Sequence, residues 1–478
     1  MFLKYFYDSA LAHASYLVGC QRTGEAVVID PSRHVQPYLV AAKAEGMRVT
    51  AAAETHIHAD FVSGSKELAD RAGAKLYLSD EGDSEWKYQF ADQVDCQLLK
   101  NGDCFNIGNI RFQVMHTPGH TPESICFVLT DVGGGATQPM GIFTGDFVFV
   151  GSIGRPDLLE TAAGSVGSAE LGARQLFRSI ELFRNLPDHL QVWPGHGAGS
   201  ACGKGLGAIP TTTVGYEKRF NPALRFSDEQ EFVDYILSDQ PETPFYFAVM
   251  KKVNKIGPTL IRKLPTVELM PVGSLASAQQ SGLVIDTRPS TEYSKKHIAG
   301  TVNIPSDLLE RWAGFFVDYS APVFLLTNPE SLEKNLISLR AIGIDEVHGI
   351  FDVNSQEMQA SMSEGYPSSS PNDLWPKIQS GSVSLLDVRS KTEFDEGHIP
   401  GAEHRFLGML QREITDIDRS KPVVVQCYVG GRSAIAASIL QRAGIDVVNM
   451  SGGIHRWIEA GLPTQTTTGE LSEVQEAN

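Results

Sequence analysis

The chain has little of what marks several large function classes. Its six cysteines, at 20, 96, 104, 126, 202 and 427, form no CxxC pair. That argues against a zinc knuckle and against a disulfide-stapled secreted scaffold, so a reducing cytoplasm is the expected compartment. No run reaches the ~18 apolar residues of a membrane span. Asp8 and His13 interrupt the segment before LVGC (17–20), so no lipoprotein-type leader is expected there. Basic residues are the minority, 40 Lys and Arg against 57 Asp and Glu, and the net charge of -17 disfavours nucleic acid and anionic membranes as partners. What remains is an ordinary globular composition, 42% hydrophobic, in a chain whose 478 residues exceed a single core. Two to four domains are expected.

Up to about Leu224, short apolar strands such as AVVID, KLYLS, IRFQVMH, SICFVLT and GIFTGDFVFV alternate with Gly and Pro loops and with helical patterns such as SKELADRAG and ELGARQLFRSIELFRNL. SYLVG, QRTGE and AVVIDP read as strand, turn and strand, with Gly24 in the turn. This alternation predicts helices packed on sheet layers. Beyond residue 260 the chain repeats itself. LVIDTRPSTEYSKKHIAGTVNIP (283–305) and LLDVRSKTEFDEGHIPGAEH (385–404) align without gaps, and Asp286 and Asp387, His297 and His398, and Gly300 and Gly401 each stand 101 positions apart. Each copy continues with an apolar strand, PVFLLT or PVVVQC, a loop, a helix and another strand, the pattern of a small parallel-sheet α/β domain. The expected divisions are 1–258, 262–365, 373–467 and a frayed tail, 468–478.

The first domain concentrates candidate metal ligands on loops. ETHIHADFVSG (54–64) carries His56, His58 and Asp60, and is followed by HTPGHTPES (116–124), FTGDFVF (143–149) and WPGHG (193–197). A histidine pair at i and i+2 can aim both rings at one centre, with Asp60 near enough to join. The four motifs, in this order, resemble the metallo-β-lactamase fold, an αββα sandwich, over about residues 1–225. Two-metal hydrolases of that superfamily, such as glyoxalase II, place a further histidine where this chain has Phe61, and a phenyl ring cannot ligate a metal. A one-metal centre is therefore expected. Within the superfamily the chain resembles the persulfide dioxygenases, and GSIGRPDL (151–158) carries their Gly-Arg-x-Asp stretch. The resemblance implies one Fe(II) per chain held by His56, His120 and Asp146, a triad that leaves positions open for substrate and dioxygen. His58 and Asp60 are expected to stand behind these ligands, orienting them through hydrogen bonds. Arg155 is a candidate for a substrate carboxylate, with an ion pair to Asp157 as the alternative.

VVVQCYVGGRSAIAASIL (423–440) places Cys427 between an apolar strand and a helix expected to begin near residues 432–434. Backbone N–H groups at the helix start and the charge of Arg432 both favour a thiolate there, while Gly430 and Gly431 allow the loop to turn tightly. Cys427 and Arg432 are the candidate catalytic residues, and Tyr428, Gly430 and Gly431 the candidate substrate-binding ones. Residues 373–465 resemble the rhodanese family, whose sulfurtransferases have four residues between the cysteine and the arginine, as here. The first repeat has the same frame without a cysteine and reads as an inactive, structural or docking copy.

Taken whole, the chain is similar to bacterial fusions of a persulfide dioxygenase with rhodanese domains. The resemblance implies oxidation of a low-molecular-weight thiol persulfide by dioxygen to sulfite and free thiol, coupled to thiosulfate formation or use through a Cys427 persulfide, and serving sulfide detoxification. A homo-oligomer is the expected assembly. The alternative is a glyoxalase II-like thioester hydrolase joined to an independent sulfurtransferase.

Overall fold

The structure, a computed structural model, describes residues 1–158, 160, 167–467 and 471–472. The chain divides into two compact units, one formed by Met1–Leu264 with Arg340–Gly343, the other by Pro265–Leu339 with Ile344–Asn478. Among the described residues no helix is long and apolar enough to cross a membrane.

The first unit holds two six-stranded sheets. In one, strands β1 (Phe2–Asp8), β2 (His13–Cys20), β3 (Glu25–Ile29), β4 (Arg48–Ala53), β5 (Lys75–Ser79) and β6 (Cys96–Leu99) lie in sequence order. The other is built from β7 (Cys104–Ile107), β8 (Ile110–His116), β9 (Ile125–Asp131), β10 (Gly141–Gly145), β11 (Gln191–Pro194) and β12 (Thr212–Thr213). The expected hairpin is present, β2 pairing antiparallel with β3 around Gly24. Inward residues of the two sheets, among them Tyr16, Val27 and Ile29 from one and Phe112, Phe127, Phe143 and Trp193 from the other, make a shared core. Helices Gln36–Ala44 and Ser65–Ala72 cover the outer face of the first sheet, and helix Ser168–Arg184 that of the second. The order is therefore helix, sheet, sheet, helix, as expected.

One predicted strand stops early. GIFTGDFVFV is extended only over Gly141–Gly145, where the pairing with β11 slips register. A turn follows, with Phe147 N–H donating to Thr144 O (3.0 Å) and Thr144 Oγ1 to Val148 O (2.7 Å). The apolar run continues because Phe147 and Val148 are buried beneath helix Ser168–Arg184, not because the strand does. Asp146 thus follows the end of β10 and lies outside the strand pairing.

The second unit contains two five-stranded parallel sheets with the same topology. The first repeat supplies β13 (Glu268–Leu269), β14 (Leu283–Asp286), β15 (Val302–Asn303), β16 (Val323–Thr327) and β17 (Val347–Asp352), ordered β13-β17-β16-β14-β15. The second supplies β18 (Ser368–Ser369), β19 (Ser384–Asp387), β20 (Glu403–His404), β21 (Val423–Gln426) and β22 (Val447–Met450), ordered β18-β22-β21-β19-β20. The repeated polar residues brace equivalent places. Arg288 pairs with Asp286 at 2.6 Å and Arg389 with Asp387 at 2.7 Å. His297 and His398 stack at 3.8 Å on Tyr293 and Phe394, and each donates Nδ1–H to the carbonyl of that residue. The expected tail lies outside the described residues except for Leu471–Ser472, which pairs antiparallel with Thr464–Gln465.

Candidate metal centre and sulfur-carrying loop

The metal-ligand candidates converge at strand ends between the two sheets. One donor atom from each of His56, His120 and Asp146 lies within 4.8 Å of the others, and all three residues are buried. His56 Nε2 is 3.9 Å and His120 Nε2 3.5 Å from the same oxygen, Asp146 Oδ2. Their other ring nitrogens are committed. His120 donates Nδ1–H to Arg155 O at 2.9 Å. His56 Nδ1 lies 3.0 Å from Thr55 Oγ1, which itself donates to Asp30 Oδ2 at 2.9 Å, so the ring must be the donor. Both tautomers thus leave Nε2 lone pairs directed at one point. Burial, and for His56 the neighbouring histidines as well, pushes both pKa values down and favours the neutral, ligating form. Neither carboxylate oxygen of Asp146 has a hydrogen-bond partner among the described residues. An unsatisfied buried carboxylate facing two neutral imidazoles fits a cation.

His58 lies beside this cluster, its ring 4.2 Å from that of His56 between centroids. Its Nε2 is 3.1 Å from Glu54 Oε2 and 3.2 Å from Asp30 Oδ1. Burial opposes its protonation, but the two carboxylates outweigh burial and lift its pKa well above the usual range. Its Nε2 is turned to these carboxylates and not to Asp146. Asp60 takes a different direction from the one expected, approaching His196 Nε2 at 3.1 Å instead of a triad ligand. His196 is also 3.4 Å from Asp146 Oδ1. Burial lowers its pKa, yet Asp146 and Asp60 carry it up to about 10. Phe61 completes that side as a buried ring, 3.8 Å from His13 and 4.4 Å from His58 between centroids.

Arg155 is 2% exposed. Its Nε donates to Asp157 Oδ1 at 2.7 Å, its Nη2 to Asp157 Oδ2, and its Nη1 to Pro241 O at 2.6 Å and Ala201 O at 3.3 Å. This geometry corrects the expectation that the guanidinium faces substrate, because Arg155 is buried and makes these four hydrogen bonds inside the protein. The Gly-Arg-x-Asp stretch acts through its backbone: Arg155 O holds His120, and a Cβ at Gly154 would fall 1.8 Å from Asp146 O, so only glycine allows the close approach.

In the second unit, Cys427 follows β21, 1% exposed, and Gly430 N–H donates to its Sγ at 3.1 Å. Gly430 has φ 103°, which turns that N–H back onto the sulfur, and the helix runs Gly431–Arg442, starting slightly before the expected position. Ile454 N–H donates to Cys427 O and His455 N–H to Tyr428 O, fixing the loop from the opposite side. Tyr428 is half exposed beside the loop, 5.6 Å from the His455 ring. Arg432 forms a bidentate pair with Glu393, at 2.6 and 2.7 Å. Burial pushes the Glu393 carboxyl up, but the Arg432 hydrogen bonds and charge, with Ser390, hold it at about 2. In the first repeat the residue after the paired stretch Val323–Leu326 is Thr327, the counterpart of Cys427 after Val423–Gln426. Its hydroxyl is buried and bonded to Thr287 Oγ1 (2.7 Å) and Asn335 Nδ2 (2.9 Å).

Residues 9–196 match the model of the metallo-beta-lactamase superfamily, and residues 370–460 that of the rhodanese-like domain. The crystal structure of a metallo-beta-lactamase from Staphylococcus aureus is 43% identical, covering 73% of this chain and 98% of that one, with a TM-score of 0.66. The chain belongs to the metallo-beta-lactamase superfamily. It also carries a C-terminal rhodanese-like domain. A beta-lactamase hydrolase-like protein of Xylella fastidiosa is 29% identical over 48% of this chain, which spans about half (53%) of that relative's length. A mitochondrial persulfide dioxygenase of Homo sapiens is 28% identical over 48% of this chain and 78% of its own.

Several residues at the centre carried no sequence signal. Asp30 ends a strand and organises Thr55 and His58 from 25 residues or more away. Cys202, one of the six scattered cysteines, offers a sulfur within 4.8 Å of donor atoms on Asp60 and His196. Glu393 is found only through the capping box of helix Lys391–Glu396, whose Ser390 and Glu393 are legible as Ser-x-x-Glu.

Proposed function

We propose that the protein oxidises a low-molecular-weight thiol persulfide with dioxygen to sulfite and the free thiol, and carries sulfane sulfur on Cys427. The observation that supports this most is the buried triad His56, His120 and Asp146, with Phe61 at the position where the two-metal hydrolases carry a further histidine. Such a site suits one metal ion and not two-metal activation of water. Fe(II) at these ligands, one per chain, would supply open coordination positions for persulfide sulfur and dioxygen, chemistry that zinc lacks. The protein's own contribution is positional. Arg155 O and Thr55 fix the two imidazoles, and the buried cluster excludes bulk water. The overall change is RSSH + O2 + H2O to RSH and sulfite with two protons, four electrons passing from the outer sulfur to dioxygen.

At the second site, the Cys427 thiolate attacks the outer sulfur of RSSH, the S–S bond breaks, and RS⁻ leaves with the electron pair. The cysteine persulfide passes that sulfur to sulfite, giving thiosulfate and the thiol, or the sequence runs in reverse. Gly430 N–H stabilises the sulfur charge in both directions.

The test is oxygen uptake by Fe(II)-loaded protein given glutathione persulfide, with sulfite and thiosulfate quantified. Uptake that yields sulfite in Cys427→Ser and vanishes in His120→Ala supports the reading. Absence of uptake, with S-lactoylglutathione hydrolysis in its place, would establish the thioester hydrolase instead.

A further inference from the structure

The second unit contains a cleft of about 1110 Å3 that the sulfur chemistry alone does not require. One side is the sulfur-carrying loop, through Val429, Gly430 and Gly431; the other belongs to the cysteine-free repeat and includes Thr291, Lys295 and Asp307. Thiosulfate fills roughly 100 Å3, a few times the ~30 Å3 share of a liquid water. The cleft is instead as large as the upper end of ligand pockets, roughly 300–1,000 Å3. A site that handled only inorganic sulfur anions would leave most of this space to solvent.

The wall is fixed to the loop it faces. Ser438, on the helix that begins at Gly431, accepts a buried hydrogen bond from Asn303 N at 3.0 Å, so its helix is tied to strand β15 of the first repeat. Tyr366 OH donates to Ala434 O of the same helix at 3.3 Å. Meanwhile the first repeat's own sulfur position is shut, Thr327 being 0% exposed and locked to Thr287 and Asn335. The repeat has kept its frame and its docking bonds while giving up its nucleophile. Its cleft wall carries one cation and one anion, Lys295 and Asp307, which complement a thiol bearing both a carboxylate and an ammonium group.

We infer that the cysteine-free repeat is the carrier-binding wall of the Cys427 site, and that the cleft receives the organic part of an amino-acid-derived thiol persulfide. This rests on the reading of Cys427 as the sulfur carrier. Lys295 and Thr291 act as specificity determinants: the transferred sulfur meets the Gly430 loop, while the departing thiol is held against the first repeat.

The experiment measures loading of Cys427 in the full chain, without oxygen so that no persulfide is oxidised, by mass spectrometry of the persulfidated protein. Glutathione persulfide and thiosulfate are the two donors. Thiosulfate, small enough to reach the loop without filling the cleft, is the internal control for folding. Thr291→Trp, an exposed position where added bulk fills the cleft, is expected to slow loading from glutathione persulfide at least tenfold while thiosulfate loading changes less than twofold. Lys295→Ala is expected to raise the glutathione persulfide half-saturation concentration severalfold, with Lys295→Arg restoring it. Equal slowing with both donors, or no slowing with either, overturns the inference and leaves the sulfur-carrier reading intact. Failure of the unaltered protein to load from either donor sinks that reading, and the inference with it.

Discussion

His120 and Asp146 face each other across 3.5 Å, Nε2 to Oδ2, while the other ring nitrogen of His120 donates to Arg155 O at 2.9 Å. That carbonyl sets the tautomer, and the tautomer sets which nitrogen is free to ligate. Removing the imidazole removes a donor, whereas removing a support only loosens one. His120→Ala is therefore expected to abolish retention of added Fe(II), the metal proposed above, after dialysis. Thr55→Val, which deprives His56 of its acceptor and Asp30 of a donor, is expected to weaken iron affinity roughly 10–100-fold. Metal content of the dialysed proteins separates the two effects. Equal retention in Thr55→Val and unaltered protein would remove the orienting role given to Thr55.

Phe61 packs in the interior as well as lacking a donor atom. Its ring is 1% exposed between His13 and His58. Truncation to alanine is expected to cost about 3–5 kcal/mol through lost contacts and the cavity left behind. Phe61→His tests the other half of the argument. With a donor restored beside Asp60 and His196, zinc-loaded protein is expected to bind about one additional ion per chain, completing a site of ordinary ligand type and number. An unchanged zinc content would show that the neighbouring groups, not Phe61, close the site.

The legible parts of this chain are those that local chemistry dictates. His56, His120 and Asp146 announce themselves because each sits in a Gly- or Pro-bounded loop after an apolar strand, and the structure brings all three together. The two repeats are legible because Asp286 and Asp387, with their arginines, must brace equivalent strand ends. The direction of a side chain is not legible in this way. Asp60 lies two residues from His58, yet the two turn to different partners, and nothing in HADF encodes that His196 waits for one while Glu54 and Asp30 wait for the other. Arg155 shows the same limit. Its spacing from Asp157 offers an ion pair, but the carbonyls of Ala201 and Pro241 that accept from its Nη1 come from distant loops.

Because it is buried and bonded inside the protein, Arg155 behaves as a strut. Arg155→Ala leaves Asp157 and two carbonyls without their charged donor and is expected to destabilise the first unit by about 1.5–3 kcal/mol, the range for hydrogen bonds to charged groups. The half-saturation concentration for persulfide is expected to stay within twofold of that of the unaltered protein in whatever fraction remains folded. Denaturant unfolding and initial-rate measurements on the same preparation check both. A large rise in that concentration at unchanged stability would return Arg155 to the substrate.

Glu393 ties the sulfur-carrying loop to pH. Its carboxyl is held at about 2, against 4.5 ordinarily, because Arg432 and Ser390 outweigh the effect of burial. A carboxyl whose folded pKa is depressed contributes stability that is fully present above the unfolded value and is lost as pH falls through the folded one. The Glu393–Arg432 contribution should thus be constant above about pH 5 and shrink toward pH 2, more weakly than a fully buried pair would, because both side chains keep some solvent contact. Glu393→Gln cannot titrate and should lack this component at every pH. The difference in unfolding free energy between the two proteins, measured in urea at pH 6, 4 and 3, is expected to narrow as pH falls. A difference that grew on acidification would mean that the pair opposes the folded loop.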